Sequence, residues 1–173
     1  MTDIPDQIVL KVARDREGKR DVAFRRVALT GIAAFLLLGL LNQFGQRPST
    51  SIADSQAARL EVYAPKRVRG GLFYEARFRI DAVREVKEAT LVLDPGWAEG
   101  ITINTVEPGP IGEASRDGKL AFDLGRIPAG QKHVFFLQLQ VNPTNVGYRS
   151  QDVRFYDGEE LLAKIDRSIT VFP

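Results

Sequence analysis

The chain has 173 residues, and its 24 Lys and Arg residues against 22 Asp and Glu residues leave a formal net charge of +2. This charge is too small for the chain as a whole to be a nucleic-acid binder, and a hydrophobic fraction of 44% is typical of folded protein rather than of disorder. The absence of cysteine excludes disulfides, iron–sulfur clusters and cysteine-based zinc sites, and a Ser–His–Asp triad would depend on the single histidine, His133.

The first element along the chain is an uncharged, apolar segment, residues 27–46, bounded by Arg26 and Arg47. A helix of about 20 residues, at about 1.5 Å per residue, spans about 30 Å, which is the thickness of the hydrocarbon core of a bilayer. A buried core helix of this composition would need apolar partners, and the rest of the sequence predicts no helix to supply them. We therefore predict a single transmembrane helix at 27–46.

A cleaved signal peptide is the alternative for the same segment. The stretch before it is 26 residues long, and the best small-residue cleavage pattern, Ser51-Ile52-Ala53, lies well beyond the apolar core. Both features favour a retained anchor. Cleavage that releases a soluble, secreted binding domain is kept as an alternative.

Basic residues set the expected orientation of the helix. Residues 7–26 contain seven Lys or Arg residues, whereas the 20 residues that follow Asn42 contain two. The positive-inside rule therefore places residues 1–26 in the cytoplasm as a basic tail and the C-terminal part outside the plasma membrane, as we expect for a bacterial cell envelope.

Strands dominate the sequence beyond the helix. The small and polar residues of 47–57 predict a linker, and apolar residues alternate with polar ones from about residue 58. The alternation is clearest over 72–82, where six apolar residues share one face and four charged residues the other, as is typical of a half-buried antiparallel strand. The same parity predicts further strands around residues 89–93, 101–105, 120–124, 135–141, 153–155 and 161–171. Arg167 interrupts the parity of the last strand, which predicts a bulge or an edge there.

Turn residues separate these strands. Asp117-Gly118 and Asp157-Gly158 predict type I′ hairpin turns, because that turn needs positive φ at both central residues. About eight or nine short strands without a convincing helix predict an all-β fold, an immunoglobulin-like antiparallel β-sandwich, over residues 58–173.

A short stretch carries a family resemblance. The segment Leu-Ala-Phe-Asp-Leu-Gly-Arg-Ile-Pro-Ala-Gly at 120–130, followed by the apolar strand at 134–141, resembles a recurring part of bacterial Ig-like surface domains. Asp94-Pro95-Gly96, after a Leu-Val-Leu strand, resembles another step of the same domains. The resemblance covers roughly residues 70–156. It implies a spacer, adhesive or accessory module of the cell envelope, with no catalytic residues to carry over.

The candidates for catalysis and metal binding are few. A hydrolase that uses His133 as its general base is the enzymatic alternative, but no Gly-x-Ser-x-Gly nucleophile motif accompanies it. The carboxylates that offer ligands to Ca²⁺ lack the Asp-x-Asp-x-Asp spacing; they are Asp152, Asp157, Glu159 and Glu160. The sequence therefore predicts no catalytic residue, no metal site, no cofactor and no small-molecule substrate.

Four residues are candidates for a protein interface. Phe73, Val134 and Phe136 lie on the otherwise polar parity of their strands, where they either form an exposed apolar patch or are covered by a neighbouring strand or loop. Trp97 follows a glycine in a predicted loop, where it either plugs the end of the core or anchors a partner. We expect a single-pass, membrane-anchored, non-enzymatic module that binds or stabilises another cell-envelope protein.

Overall fold

The computed structural model describes the backbone of residues 7–41 and 45–173, with side chains at residue 18 and from residue 20 onward within these ranges. The chain divides into two compact units, Met1–Gln43 and Phe44–Pro173. In the described part of the first unit there is one helix, α1 (Gln7–Leu40), and its segment Arg20–Leu40 is long and apolar enough to span a membrane.

The structure corrects one bound predicted for the N-terminal part. The helix ends at Leu40, and Gly45 and Gln46 are not helical, so the predicted span of 27–46 extends too far at its C-terminal end. Residues 42–44 lie outside the described residues. The predicted basic tail is helical from Gln7 onward. Half of residues 7–26 are Lys, Arg, Ala or Leu, which are good helix formers.

The second unit consists of strands. In chain order these are β1 (Pro48–Asp54), β2 (Ala58–Pro65), β3 (Arg67–Arg69), β4 (Phe73–Ala82), β5 (Val86–Leu93), β6 (Ile101–Glu107), β7 (Gly112–Arg116), β8 (Lys119–Ile127), β9 (Lys132–Val141), β10 (Gly147–Ser150), β11 (Val153–Asp157), β12 (Glu160–Ile165) and β13 (Ser168–Phe172). A short 3₁₀ turn, Pro95–Trp97, follows β5. We call the unit the β-domain.

The β-domain begins earlier than the sequence predicts. Most of the predicted linker 47–57 is strand β1, which pairs along its whole length with β2, from Pro48 opposite Pro65 to Asp54 opposite Arg59. Small residues such as Ala53, which packs against the core, occupy its inward positions. Such residues give almost no hydrophobic alternation, so the sequence pattern does not predict this strand.

The strands form three sheets. The front sheet has the order β1-β2-β4-β9-β6, the back sheet β12-β11-β5-β8-β7 and the small end sheet β10-β13-β3. Neighbouring strands are antiparallel except for β13 and β3, which run parallel. The predicted all-β, mostly antiparallel architecture is thereby confirmed.

One hydrophobic cluster takes side chains from both five-stranded sheets. The ring centroid of Phe135 in β9 lies 5.0 Å from that of Phe122 in β8 and 6.0 Å from that of Phe78 in β4. All three rings are buried. Along β4, residues of the predicted apolar parity are buried, while those between them are exposed or half-buried. Residues of the opposite parity on the front sheet therefore form its outer face.

Of the two predicted hairpin turns, the first lies at the predicted residues and the second is shifted by one residue. Asp117 and Gly118 have φ values of +52° and +73°, so the first turn has the positive φ at both positions that a type I′ turn requires. At the second, Asp157 pairs with Glu160, which moves the turn one residue along the chain, to Gly158-Glu159.

The last predicted strand is two strands in two sheets. β12 belongs to the back sheet and β13 to the end sheet, and the chain passes between them at Asp166-Arg167. Arg167 therefore marks a complete break of the strand, a larger interruption than the predicted bulge or edge.

Candidate protein interface

The outer face of the front sheet has a groove of about 560 Å³. Its apolar lining comes from Tyr63, Val134 and Phe136, each of which is partly exposed. Val134 and Phe136 were singled out by the sequence because they interrupt a polar parity, and the structure places them together in this groove. We call it the outer groove.

Strand register brings the lining residues together. On β4, Arg77 lies between Tyr63 of β2 and Phe136 of β9, and Arg79 lies opposite Val134 of β9. Side chains at such paired positions project from the same face of a sheet. Because β9 is far from β2 and β4 in sequence, no local motif contains the whole groove.

Positive charge borders the apolar lining. The guanidinium carbon of Arg77 lies 4.9 Å from the ring centroid of Tyr63, within the range of a cation–π contact. Arg79 forms an ion pair with Asp81, with 3.3 Å between Nε and Oδ1. Among the described residues, Arg77 and Lys132 have no carboxylate oxygen within 4.0 Å.

The groove therefore has an excess of positive charge. Three of its lining residues are basic, and Glu61 is acidic. Anionic groups placed beside Arg77 and beside Lys132, which lies four residues from Phe136 along β9, would meet two cations that have no carboxylate oxygen within 4.0 Å among the described residues.

The back sheet presents a different outer face. Asp94 accepts a hydrogen bond from Arg154 at 2.6 Å and lies 3.2 Å from Nζ of Lys119. A second contact of 3.7 Å joins Arg154 to Asp152. Because these charges neutralise one another within the β-domain, the back sheet offers less to a charged partner than the outer groove does.

Phe73 is exposed on the same face as the groove but lies apart from it. Its side chain is 55% exposed, and its strand partner is Gln140. It is four residues from Arg77 along β4, about 13 Å at roughly 3.3 Å per residue. The structure therefore does not join Phe73 to Val134 and Phe136 in one patch.

The prediction that Trp97 belongs to the protein interface is wrong, because the residue is buried. Its side chain is fully buried, and its indole N–H donates a hydrogen bond of 3.0 Å to the backbone oxygen of Gln151. Its ring centroid lies 5.2 Å from that of Phe78 in the core. The 3₁₀ turn directs the side chain back onto the end of the core, so Trp97 has the core role of the two expected for it.

A buried polar cluster lies beside Trp97. Arg167 is 6% exposed, and its Nη2 donates a hydrogen bond of 3.0 Å to the backbone oxygen of Pro65, whereas its Nε and Nη1 have no partner among the described residues. Burial lowers the pKa of Arg167 to about 10, an effect that Tyr74 opposes. Burial also raises the pKa of Tyr74 to about 12, opposed by its hydrogen bond with Gln151. With the guanidinium and the phenol enclosed, this cluster is part of the core.

The residues considered for catalysis and calcium binding have other surroundings. His133 lies opposite Ile80 in the strand pairing, and its Nε2 is buried without a hydrogen-bond partner in the described part of the chain. Burial lowers the pKa of His133. Asp157 accepts hydrogen bonds of 2.9 Å from the backbone N–H groups of Lys87 and Glu88, which fixes the adjoining bulge of β5. Within the described ranges, no group of three or more potential ligands is arranged around a metal position.

Comparison with known proteins adds no family to this description. No protein-family model matches the sequence, and no curated protein is significantly similar to it. Function is therefore inferred from the geometry of the β-domain and from the apolar helix.

Proposed function

We propose that the protein is a single-pass membrane protein whose β-domain, an immunoglobulin-like β-sandwich, lies outside the plasma membrane of a bacterial cell. The apolar segment Arg20–Leu40 supports the anchor, and the excess of basic residues in 7–26 supports a cytoplasmic N-terminus. The two five-stranded sheets with their shared core support the sandwich.

The β-domain binds another cell-envelope protein through the outer groove. One observation carries this proposal: partly exposed Val134 and Phe136 lie beside Arg77 and Lys132, which have no carboxylate partner in the described structure. Burial of the two apolar side chains and neutralisation of the two cations would both favour association.

The chemistry of the groove identifies the kind of partner segment. An acidic segment that also carries an aliphatic or aromatic side chain fits, because its carboxylates pair with Arg77 and Lys132 while the apolar side chain covers Val134 and Phe136. A purely acidic or a purely apolar segment would satisfy only half of this surface.

Site-specific photocrosslinking in native membranes tests the site. A photoreactive phenylalanine analogue is placed at Phe136, and in a control at Tyr156, an aromatic residue of the back sheet. We expect an adduct of one defined mass from position 136, its loss when Arg77→Glu and Lys132→Glu are added, and no such adduct from position 156. The same adduct from both positions, or one that survives both charge reversals, would exclude the outer groove.

Cysteine labelling tests the topology, because the natural chain contains no cysteine. A membrane-impermeant maleimide applied to intact spheroplasts should label Ala129→Cys, whereas Thr2→Cys should react only after permeabilisation. The opposite pattern would reverse the proposed orientation. A labelled product shorter than the full chain would instead support the cleaved, secreted alternative.

A further inference from the structure

One end of the β-domain, which we call the tether end, is the end at which the chain enters it from the helix. β1 begins there at Pro48, opposite Pro65 at the end of β2. Since β4 runs antiparallel to β2, Phe73 at the start of β4 lies at this end as well.

The end sheet adds an aromatic and basic surface to the tether end. In its strand pairing, Thr170 lies between Tyr148 of β10 and Arg67 of β3, so the three residues occupy one face. The large apolar side chains that remain 47–71% exposed at this end are Leu72, Phe73, Val146 and Tyr148.

Most of the segments that build the tether end are basic. Residues 62–74, 141–151 and 167–173 contain five Lys or Arg residues and no Asp or Glu, whereas the loop before β6, which contacts Asn145, contributes the exposed Glu99. Lys66, Arg67 and Arg69 are exposed among them. In the adjoining back sheet, the acidic residues Asp94 and Asp152 already pair with Arg154.

A short connection joins the tether end to the helix. Residues 41–47 join the end of α1 to Pro48, and seven residues reach at most about 25 Å even when fully extended. If α1 crosses a bilayer, the tether end therefore stays within reach of that bilayer's surface, whereas the opposite end of the β-domain is separated from the connection by the length of the strands.

We infer that the tether end rests on the lipid surface of the membrane that α1 spans. Tyrosine and phenylalanine side chains favour the region between headgroups and acyl chains, and basic side chains are attracted to anionic headgroups. Leu72, Phe73 and Tyr148 enter this region, and Lys66, Arg67 and Arg69 meet the lipid phosphates. The inference rests on the proposed membrane anchor and is independent of the outer groove.

Lipid-proximity quenching of the full-length protein in reconstituted vesicles tests the inference. One fluorophore is attached to a single cysteine in each of two variants. Thr144→Cys lies in an exposed loop at the tether end, and Ala129→Cys lies in an exposed loop at the opposite end. The vesicles contain a lipid with a nitroxide quencher on its headgroup, in either phosphatidylcholine or an equal mixture of phosphatidylcholine and phosphatidylglycerol. We expect at least threefold stronger quenching at position 144 than at 129, and a further increase with the anionic lipid.

Charge reversal provides the matched comparison. Arg67→Glu with Arg69→Glu should remove the increase caused by anionic lipid at position 144. The same change in charge at the opposite end, Lys87→Glu with Lys132→Glu, should leave it intact. Equal quenching at 144 and 129 in both kinds of vesicle, or equal effects of the two double variants, would overturn the inference.

Extraction at alkaline pH separates this failure from failure of the anchor. If the protein stays with the vesicles in carbonate buffer while the labels at 144 and 129 are quenched equally, the anchor stands and the tether-end inference is wrong. If carbonate releases the protein from the vesicles, both proposals fail.

Discussion

The guanidinium carbon of Arg167 lies 4.8 Å from the ring centroid of Trp97, and both side chains are buried. Arg167 occupies the break between β12 and β13, where the chain leaves the back sheet for the end sheet. Trp97 is thereby held by Arg167, by the ring of Phe78 and by its hydrogen bond to Gln151. The only tryptophan of the chain therefore helps to hold the front sheet, the back sheet and the end sheet together.

Substitution of Trp97 should measure this role. We expect Trp97→Ala to lower the free energy of unfolding by about 3–5 kcal/mol, because it leaves a large cavity in the core. Trp97→Phe keeps a ring but leaves the backbone oxygen of Gln151 without its donor, and should cost about 1–3 kcal/mol. Urea unfolding of the full chain in detergent, followed by circular dichroism of the strands, measures both values. A Trp97→Ala variant with an unchanged midpoint would restore the surface role for this residue.

Two adjacent phenylalanines should respond very differently to the same substitution. Phe135 is fully buried in the shared core, whereas its neighbour Phe136 is partly exposed in the outer groove. We expect Phe135→Ser to cost at least about 3–5 kcal/mol, the range for truncating a buried phenylalanine, and Phe136→Ser about 1 kcal/mol.

The urea midpoints of the two variants provide the measurement, with each variant as the control of the other. Equal losses of stability would show that Phe136 contributes to the core and is not available to a partner. Val134→Ser, which leaves the photoreactive residue at position 136 in place, should weaken the crosslink described for the outer groove while leaving the far-ultraviolet circular dichroism spectrum unchanged.

The backbone of Ser150 approaches Gly96 so closely that a side chain at position 96 would clash with it. A Cβ atom at this position would lie 2.1 Å from the backbone oxygen of Ser150, which cannot move without disturbing β10. We expect Gly96→Ala to cost about 1–3 kcal/mol, the range for overpacking a core. It should also shift the fluorescence of the adjacent Trp97 to longer wavelength. Gly109→Ala is the control, because no atom lies within 4 Å of the added Cβ and the φ of Gly109 is not positive. Equal midpoints for the two variants would contradict the close contact.

Stability at high pH should depend on Tyr74. Burial raises the pKa of Tyr74 to about 12, whereas a tyrosine in the unfolded chain titrates near about 10. Between these values the unfolded chain loses a proton that the folded chain retains, so the free energy of unfolding falls as the pH rises. The stability that the protonated Tyr74 contributes is fully present below about pH 10. By about pH 11.5, deprotonation of this tyrosine in the unfolded chain should have lowered the free energy of unfolding by about 2 kcal/mol.

Comparison with Tyr74→Phe tests this effect. Burial lowers the pKa of Arg167 to about 10, which acts with the opposite sign in the same pH range. Because Tyr74 opposes this lowering, its removal lowers the pKa of Arg167 further, which changes the stability difference in the same direction as the loss of the phenol. The stability difference between the wild-type chain and Tyr74→Phe should therefore shrink between pH 9 and about pH 11.5. Tyr148→Phe, at a residue that is 71% exposed, should show no such change. A constant difference for Tyr74→Phe would show that its phenol is not buried as described.

The fold could be predicted from the sequence wherever burial is one-sided. β4 alternates because one face packs on the core and the other does not. The same reasoning failed at β1, whose inward residues are too small to give a hydrophobic pattern, and at Arg167, because parity does not report the sheet to which a strand belongs. Both failures concern long-range pairing, which no local pattern contains.

The candidate site was predictable only in part, for a similar reason. Val134 and Phe136 stand out in one strand because they are apolar at positions where polar residues are expected. Tyr63, Arg77 and Lys132 have no such local signal, since their importance arises from the register of β2, β4 and β9. Trp97 was ambiguous because a loop tryptophan carries no periodicity from which to infer burial.

β1 gives the β-domain a mechanical property. It is the edge strand of the front sheet and the first strand after the helix, so tension applied through the helix would enter the domain at Pro48. The hydrogen bonds between β1 and β2 lie across the strand direction, so a pull along β1 loads them together in shear rather than breaking them one at a time. Thr50 of β1 also lines the outer groove, close to this point of entry. A partner bound there, as we propose, would be coupled to the helix through β1 and β2, while the back sheet would not carry the force.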